Sequence, residues 1–241
     1  MITTIACLPR TGSTMLINLL HAYYKAKYND DESGVCHFQH MAMILEHKQR
    51  NKEKDYLDKL LEYIGSFPKD YVGIYELHDI HFINEAVKYL KQNNKHSLFK
   101  SMYTSYHMSV PVSNLDYSIF DKVIILDRKD KEALMYSLYM SGITGNFHDA
   151  IDPTLWAMNT FPFEKQKFEE FKKVLNYVLN DKWPKEKDRL LKEGAIEVWY
   201  EDIKDMTGEQ ILEHVGIKDH KEYLDQYKIN TEIVWSSDNL K

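Results

Sequence analysis

Apolar residues recur along this chain in two rhythms. Ile2 to Cys7 is a short β-branched run bounded by Pro9, and it predicts a buried strand. Over residues 14–28, Leu16, Leu19, Leu20 and Tyr23 or Tyr24 fall at helical spacing, which predicts a helix. A polar turn at 29–34 leads to predicted helices at 37–49, 55–64 and 80–92. The last of these carries Ile83, Ala86, Val87 and Leu90 on one face. Residues 96–101 predict a second strand. Lys122 to Asp127 is an unbroken apolar run of the parallel-sheet type, and it feeds straight into a helix over 131–140. An amphipathic helix follows at 163–179, Pro184 opens another, and 195–200 predicts one more strand. Thr207-Gly208-Glu209-Gln210 fits a capping box for a helix reaching His214. The last ten or so residues carry no pattern.

Strands alternating with helices predict an α/β fold with a mainly parallel central sheet flanked by helices. The 241 residues suit a single domain spanning the whole chain. There is no internal repeat and no low-complexity tract.

Composition narrows the function. The net charge of -6 offers no broad basic field, which argues against nucleic acid as partner. A polyanionic ligand would have to be met by local charge. No apolar run reaches membrane-spanning length, and the amino-terminal stretch is too short and lacks the basic start of a signal peptide, so no stable membrane insertion is expected. Cys7 and Cys36 have no metal-type spacing and fit a reduced, cytoplasmic setting.

Local charge is found at two strand ends. The first is Cys7-Leu8-Pro9-Arg10-Thr11-Gly12-Ser13-Thr14. A strand turning through Gly12 into a helix gathers backbone N–H groups and the positive helix end at one point. Ser13 and Thr14 add hydroxyls, and Arg10 adds a fixed charge with a planar fork of donors. The pattern also describes an ordinary strand-to-helix turn with a Ser or Thr cap. It lacks the Gly-Lys-Ser/Thr of triphosphate loops and the three glycines of dinucleotide loops. The second is Asp127-Arg128-Lys129-Asp130-Lys131, with Ser137 nine residues after Arg128 and eight after Lys129. A basic residue at a strand's end and a serine about two turns into the next helix can converge on one small anion. A solvated charged turn has the same composition.

The two elements, in this order, resemble the sulfotransferase family that uses 3′-phosphoadenosine 5′-phosphosulfate (PAPS). Pro9-Arg10-Thr11-Gly12-Ser13-Thr14 is similar to the Pro-Arg-Ser-Gly-Ser-Thr loop of bacterial carbohydrate sulfotransferases of the trehalose type. Arg128-Lys129-Asp130-Lys131 with Ser137 is similar to the family's Arg-Arg-Asp-Lys…Ser element. Val198-Trp199-Tyr200-Glu201-Asp202-Ile203 resembles a late Tyr-Glu-Asp-Leu segment with a structural role at a strand-to-helix junction. The resemblance implies a P-loop-like three-layer fold. It implies that Arg10, Thr11, Gly12, Ser13 and Thr14 hold the 5′-phosphosulfate, and that Arg128 or Lys129, with Ser137, holds the 3′-phosphate. Lys100-Ser101-Met102 stands where small-molecule members carry Lys-Thr-His, so methionine replaces the family's histidine. The Gly-rich loop with Trp-Lys near the carboxyl terminus of cytosolic members has no counterpart; the Val234-Trp235-Ser236-Ser237 tail is a candidate to cover the adenine.

The implied reaction moves a sulfonate group from PAPS to a hydroxyl of a small-molecule or carbohydrate acceptor (sugar, lipid or phenol) and releases adenosine 3′,5′-bisphosphate (PAP), with no metal. Arg10 would stabilise the leaving group electrostatically, because a guanidinium stays protonated. A general base must take the acceptor's proton. His37 is the first candidate, followed by His40, His107, Glu76, His78 and His81. The alternatives are a non-catalytic phosphoadenosine-binding protein of the same fold and a divergent P-loop kinase. Oligomeric state is left open by the sequence.

Overall fold

A computed structural model of the chain describes residues 1–28, 87–88, 90–92, 96–103, 116–144 and 163–227. Strands β1 (Ile2–Cys7), β2 (Ser97–Met102), β3 (Lys122–Asp127) and β4 (Ile196–Trp199) form one sheet in the order β2-β1-β3-β4. All three pairings are parallel; Ile5 lies opposite Lys100 on one side and Ile124 on the other, and Leu126 lies opposite Val198. The helices are α1 (Ser13–Tyr28), α2 (Lys131–Thr144), α3 (Lys165–Tyr177), α4 (Trp183–Lys192), α5 (Tyr200–Ile203), α6 (Gly208–His214) and α7 (His220–Tyr227). The expected α/β class with a parallel sheet and flanking helices is what the chain adopts.

Side chains alternate across each strand and feed two cores. Ile2, Ala6, Phe99 and Ile125 face one, with Leu134 and Leu138 of α2, Phe168 and Leu175 of α3, and Trp183 and Leu190 of α4. Ile5, Leu98, Ile124, Leu126 and Val198 face the other, with Leu16, Ile17, Leu20 and Tyr23 of α1, and Ile211 and Leu212 of α6. Helices α1 and α2 therefore follow neighbouring strands, β1 and β3, yet cover opposite faces. Their starting points diverge, the arrangement that in parallel α/β sheets opens a crevice at the carboxyl ends of neighbouring strands. This is where parallel α/β sheets place their ligands.

Most elements within the described residues match their sequence pattern; the helices expected at 37–49 and 55–64, and most of that at 80–92, lie outside them. The capping box is present: the Thr207 hydroxyl accepts the Gln210 N–H at 3.3 Å, and the Gln210 side chain accepts the Thr207 N–H at 2.9 Å. Three differences are instructive. Helices α3 and α4 are joined by a π-helical turn, Val178–Lys182, and the N–H of Trp183 reaches back five residues to the carbonyl of Val178. Pro184 has no N–H to donate, and the wider turn lets the rod pass it without a break. Strand β4 ends at Trp199, one residue early, because Tyr200 already belongs to α5.

Helix α7 lies beyond the predicted helices, which end at His214. A polar cluster helps to hold it: the Tyr23 hydroxyl donates to Asp219 Oδ1 at 2.6 Å, and the Lys27 ammonium meets Asp219 Oδ2 at 2.6 Å. Tyr223 packs edge-on against Tyr23, with ring centres 6.0 Å apart. Burial opposes ionisation of Asp219, but the bonds from Lys27 and Tyr23 outweigh it and hold its carboxyl below the usual range.

Candidate functional site

The loop after β1 is tightly wound. Arg10 has φ 64° and Gly12 φ 83°, both in the left-handed region. Glycine adopts that conformation at little cost, whereas for a residue with a Cβ it costs roughly 1–2 kcal/mol. The Thr11 hydroxyl donates to the Leu8 carbonyl at 2.8 Å and fastens the loop to its own start. The Gly12 carbonyl accepts the N–H of Met15 at 3.1 Å and begins the α1 ladder. The first N–H groups of α1 have no acceptor inside the helix and lie at the positive end of its dipole.

Thr11 and Ser13 are buried. Their hydroxyls also face the thiol of Cys7, whose pKa is pushed up by burial against the opposing pull of Lys100 and the two hydroxyls. The Thr11 and Ser13 side chains are thus taken up inside the loop. Thr14 is half-buried beside them.

At the end of β3, Asp127 is only 1% exposed. Its carboxylate accepts the N–H of Arg128 at 2.7 Å and is flanked by two ammonium groups, Lys131 in direct contact and Lys187 at 3.3 Å. Lys187 also bonds Glu197 at 2.9 Å and lies 4.3 Å from the centre of the Trp199 ring. Burial tends to lower the Lys187 pKa, but Glu197 and Asp127 raise it above the usual value.

The next turn is held from the neighbouring strand. The Glu201 carboxylate accepts the N–H of Lys129 at 2.8 Å and that of Asp130 at 3.0 Å. Asp130 in turn accepts the N–H of Ala133 at 2.8 Å and caps α2. The segment expected to hold the junction after its own strand also reaches across, through Glu201, to clamp the β3–α2 turn.

Two of the expected basic residues differ sharply in where they point. The Arg128 guanidinium stacks 4.9 Å from the Tyr200 ring centre, and its Nη1 donates to the Arg10 carbonyl at 3.5 Å. Its buried Nε has no hydrogen-bond partner among the described residues and lies 3.9 Å from Glu201 Oε1. Lys129 turns away, exposed and paired with Asp202. Of the two registers open in the sequence, the structure brings Arg128 to the β1 loop and not Lys129.

The two sequence elements meet directly. Arg10 Nε donates to the Ser137 hydroxyl at 2.9 Å, across 127 residues of chain. Arg10, Arg128 and Ser137 therefore lie together at the carboxyl ends of β1 and β3, beside the loop that holds Gly12. Guanidinium forks, helix-terminal N–H groups and a hydroxyl at such a point are suited to phosphate or sulfate oxygens.

Reasoning from sequence gave Trp199 only a structural place in its segment and missed Lys187, which comes from α4 and carries no local signal. Asp127 had one: a carboxylate ending an apolar strand is buried and so needs a cation. His37, His40, His107, Glu76, His78 and His81, and the tail at 234–237, lie outside the described residues. Among the described residues no helix is long and apolar enough to cross a membrane. No protein-family model, curated protein or solved structure matches this chain.

Proposed function

We propose that the crevice binds PAPS and that the protein is a sulfotransferase with a P-loop-like fold, transferring sulfonate to a hydroxyl acceptor. The supporting observation is the 2.9 Å bond between Arg10 Nε and Ser137 Oγ. It brings a loop suited to a 5′-phosphosulfate and a helix suited to a 3′-phosphate side by side, as a donor carrying both anionic groups requires.

In this reading the reaction is an in-line displacement at sulfur. The bond from sulfur to the bridging phosphate oxygen breaks as the acceptor oxygen bonds to sulfur. The leaving PAP gains negative charge, which Arg10 and the N–H groups of Thr11, Gly12, Ser13 and Thr14 meet electrostatically. Arg128, laid over Tyr200, and Ser137 hold the 3′-phosphate. The acceptor's proton passes to a general base, for which His37 is the proposed residue. No step needs a metal.

The test is calorimetric titration of PAP into wild type and Arg10→Ala, followed by transfer of labelled sulfonate from PAPS to a panel of sugars, lipids and phenols. Loss of the charge-assisted bonds should weaken PAP binding about 10–100-fold. Failure of wild type to bind, or equal binding by the variant, would sink the donor site. A binder without transfer is the second reading, favoured by Met102 at the end of β2; PAP binding with no transfer to any acceptor would select it.

A further inference from the structure

We propose that Glu209, Glu213 and His220 form a site for one divalent transition-metal ion, with Zn²⁺ the best match. Glu209 and Glu213 are four residues apart on α6, so their carboxylates share a face. His220 opens α7 and is 1% exposed. Its Nδ1 is 2.8 Å from the Ile217 carbonyl, a bond that requires the ring proton on Nδ1. In the neutral ring Nε2 then carries a lone pair; it is buried and without a hydrogen-bond partner among the described residues. It is aimed at the two carboxylates, 3.4 Å from Glu209 Oε1 and 3.7 Å from Glu213 Oε1.

Three ligand atoms lie within 4.8 Å of one another, a clustering of lone pairs that favours a cation at their centre. A proton fits the spacing poorly, because charge-assisted N–H···O bonds close to about 2.7–2.9 Å. A tetrahedral ion with bonds of about 2.0–2.2 Å sets its ligands about 3.3–3.6 Å apart, close to the two separations from Nε2, 3.4 and 3.7 Å. One nitrogen and two carboxylate oxygens suit zinc, and a water completes the tetrahedron. The backbone carbonyl on Nδ1 is the outer-shell contact that ligating histidines use to fix the ring.

Lys221 already places its ammonium 3.5 and 3.7 Å from the same two oxygens. Its side chain is 67% exposed, so it can swing into solvent as a doubly charged ion enters. The ion would tie α6 to α7, which in turn is anchored on α1 through Asp219 and Tyr223. The site lies on these covering helices and does not depend on the donor reading.

The experiment uses the full chain, stripped with chelator, titrated with Zn²⁺ by calorimetry and with Co²⁺ by visible absorption. Wild type should bind one ion per chain, give the intense bands of tetrahedral Co²⁺, and melt at higher temperature with Zn²⁺ present. The paired substitution Glu209→Gln with Glu213→Gln, both on exposed side chains, should weaken Zn²⁺ by more than the ~10–100-fold that loss of an outer-shell contact costs. Lys221→Ala, which removes the competing ammonium, should tighten it. No binding by wild type, or equal binding by wild type and the glutamine variant, would overturn the site; so would weaker binding by Lys221→Ala.

Discussion

Glu201 accepts the backbone N–H of Lys129 at 2.8 Å, and through that bond β4 and α5 hold the turn that carries Arg128. Replacing Glu201 with Ala removes this acceptor and the one for Asp130. Expected is a loss of about 1–2 kcal/mol in denaturant melts, since the two bonds are charge-assisted but exposed. PAP affinity should fall as well, although Glu201 is given no contact with the donor. A variant that melts earlier yet binds PAP like wild type would separate the clamp from the site.

The same carboxylate gives a pH dependence. Burial opposes its ionisation, but the N–H groups of Asp130 and Lys129 more than compensate and hold its pKa below the usual glutamate range. A group depressed in the folded state stabilises the fold above its unfolded pKa, near ~4.3, and loses that contribution as pH falls through the folded value. Stability measured from neutral pH downward should therefore drop by a component beginning near that unfolded value. In Glu201→Gln this component should be missing, read as the difference between the two acid-denaturation curves.

Asp127 neutralises Lys131 and Lys187 while almost wholly buried. Asp127→Ala takes the carboxylate from Lys131, leaves Lys187 with Glu197 alone, and removes the acceptor for the Arg128 N–H. The expected cost is about 2–3 kcal/mol, short of the ~3–5 kcal/mol of a fully buried pair because the lysines keep some contact with water. Asp127→Asn keeps an acceptor oxygen and should cost less. Equal melting of the two variants would show that charge has no part in it.

Arg10 holds a backbone conformation, φ 64°, that costs a side-chain-bearing residue energy in the fold. Arg10→Gly and Arg10→Ala should bind PAP equally poorly, since both lack the guanidinium. They should differ in stability, with Gly the better by about 1 kcal/mol, because alanine keeps the strain. Thermal melts of the two proteins side by side check this.

The strands and most helices were legible because their signals are local. Ile2 to Cys7 and Lys122 to Asp127 declare themselves by apolar runs, and Thr207 with Gln210 by cap chemistry. The meeting of Arg10 and Ser137 was legible only as two strand ends of similar design. Whether Arg128 or Lys129 joins them was not, because it depends on Tyr200 and Asp202, some 70 residues onward. Helix α7 escaped notice for a related reason. Its hold on α1 runs through Asp219 and Lys27, and a polar contact between distant residues leaves no period in a sequence. The triad at His220 combines a four-residue spacing on one helix with a partner on the next, a pattern without a short signature.

Strand β1 occupies the centre of the sheet, yet it is far along the chain from its partner β3; Ile2 and Asp121, which bond at 2.7 Å, are 119 residues apart. During synthesis at ~5–20 residues per second, β1 would wait roughly 6–24 s with that edge unpaired. Such long-range parallel pairing makes folding slow and exposes an apolar edge to other chains meanwhile. Yield in a cell should thus depend on chaperone supply and on growth temperature more than the stability of the finished fold would suggest.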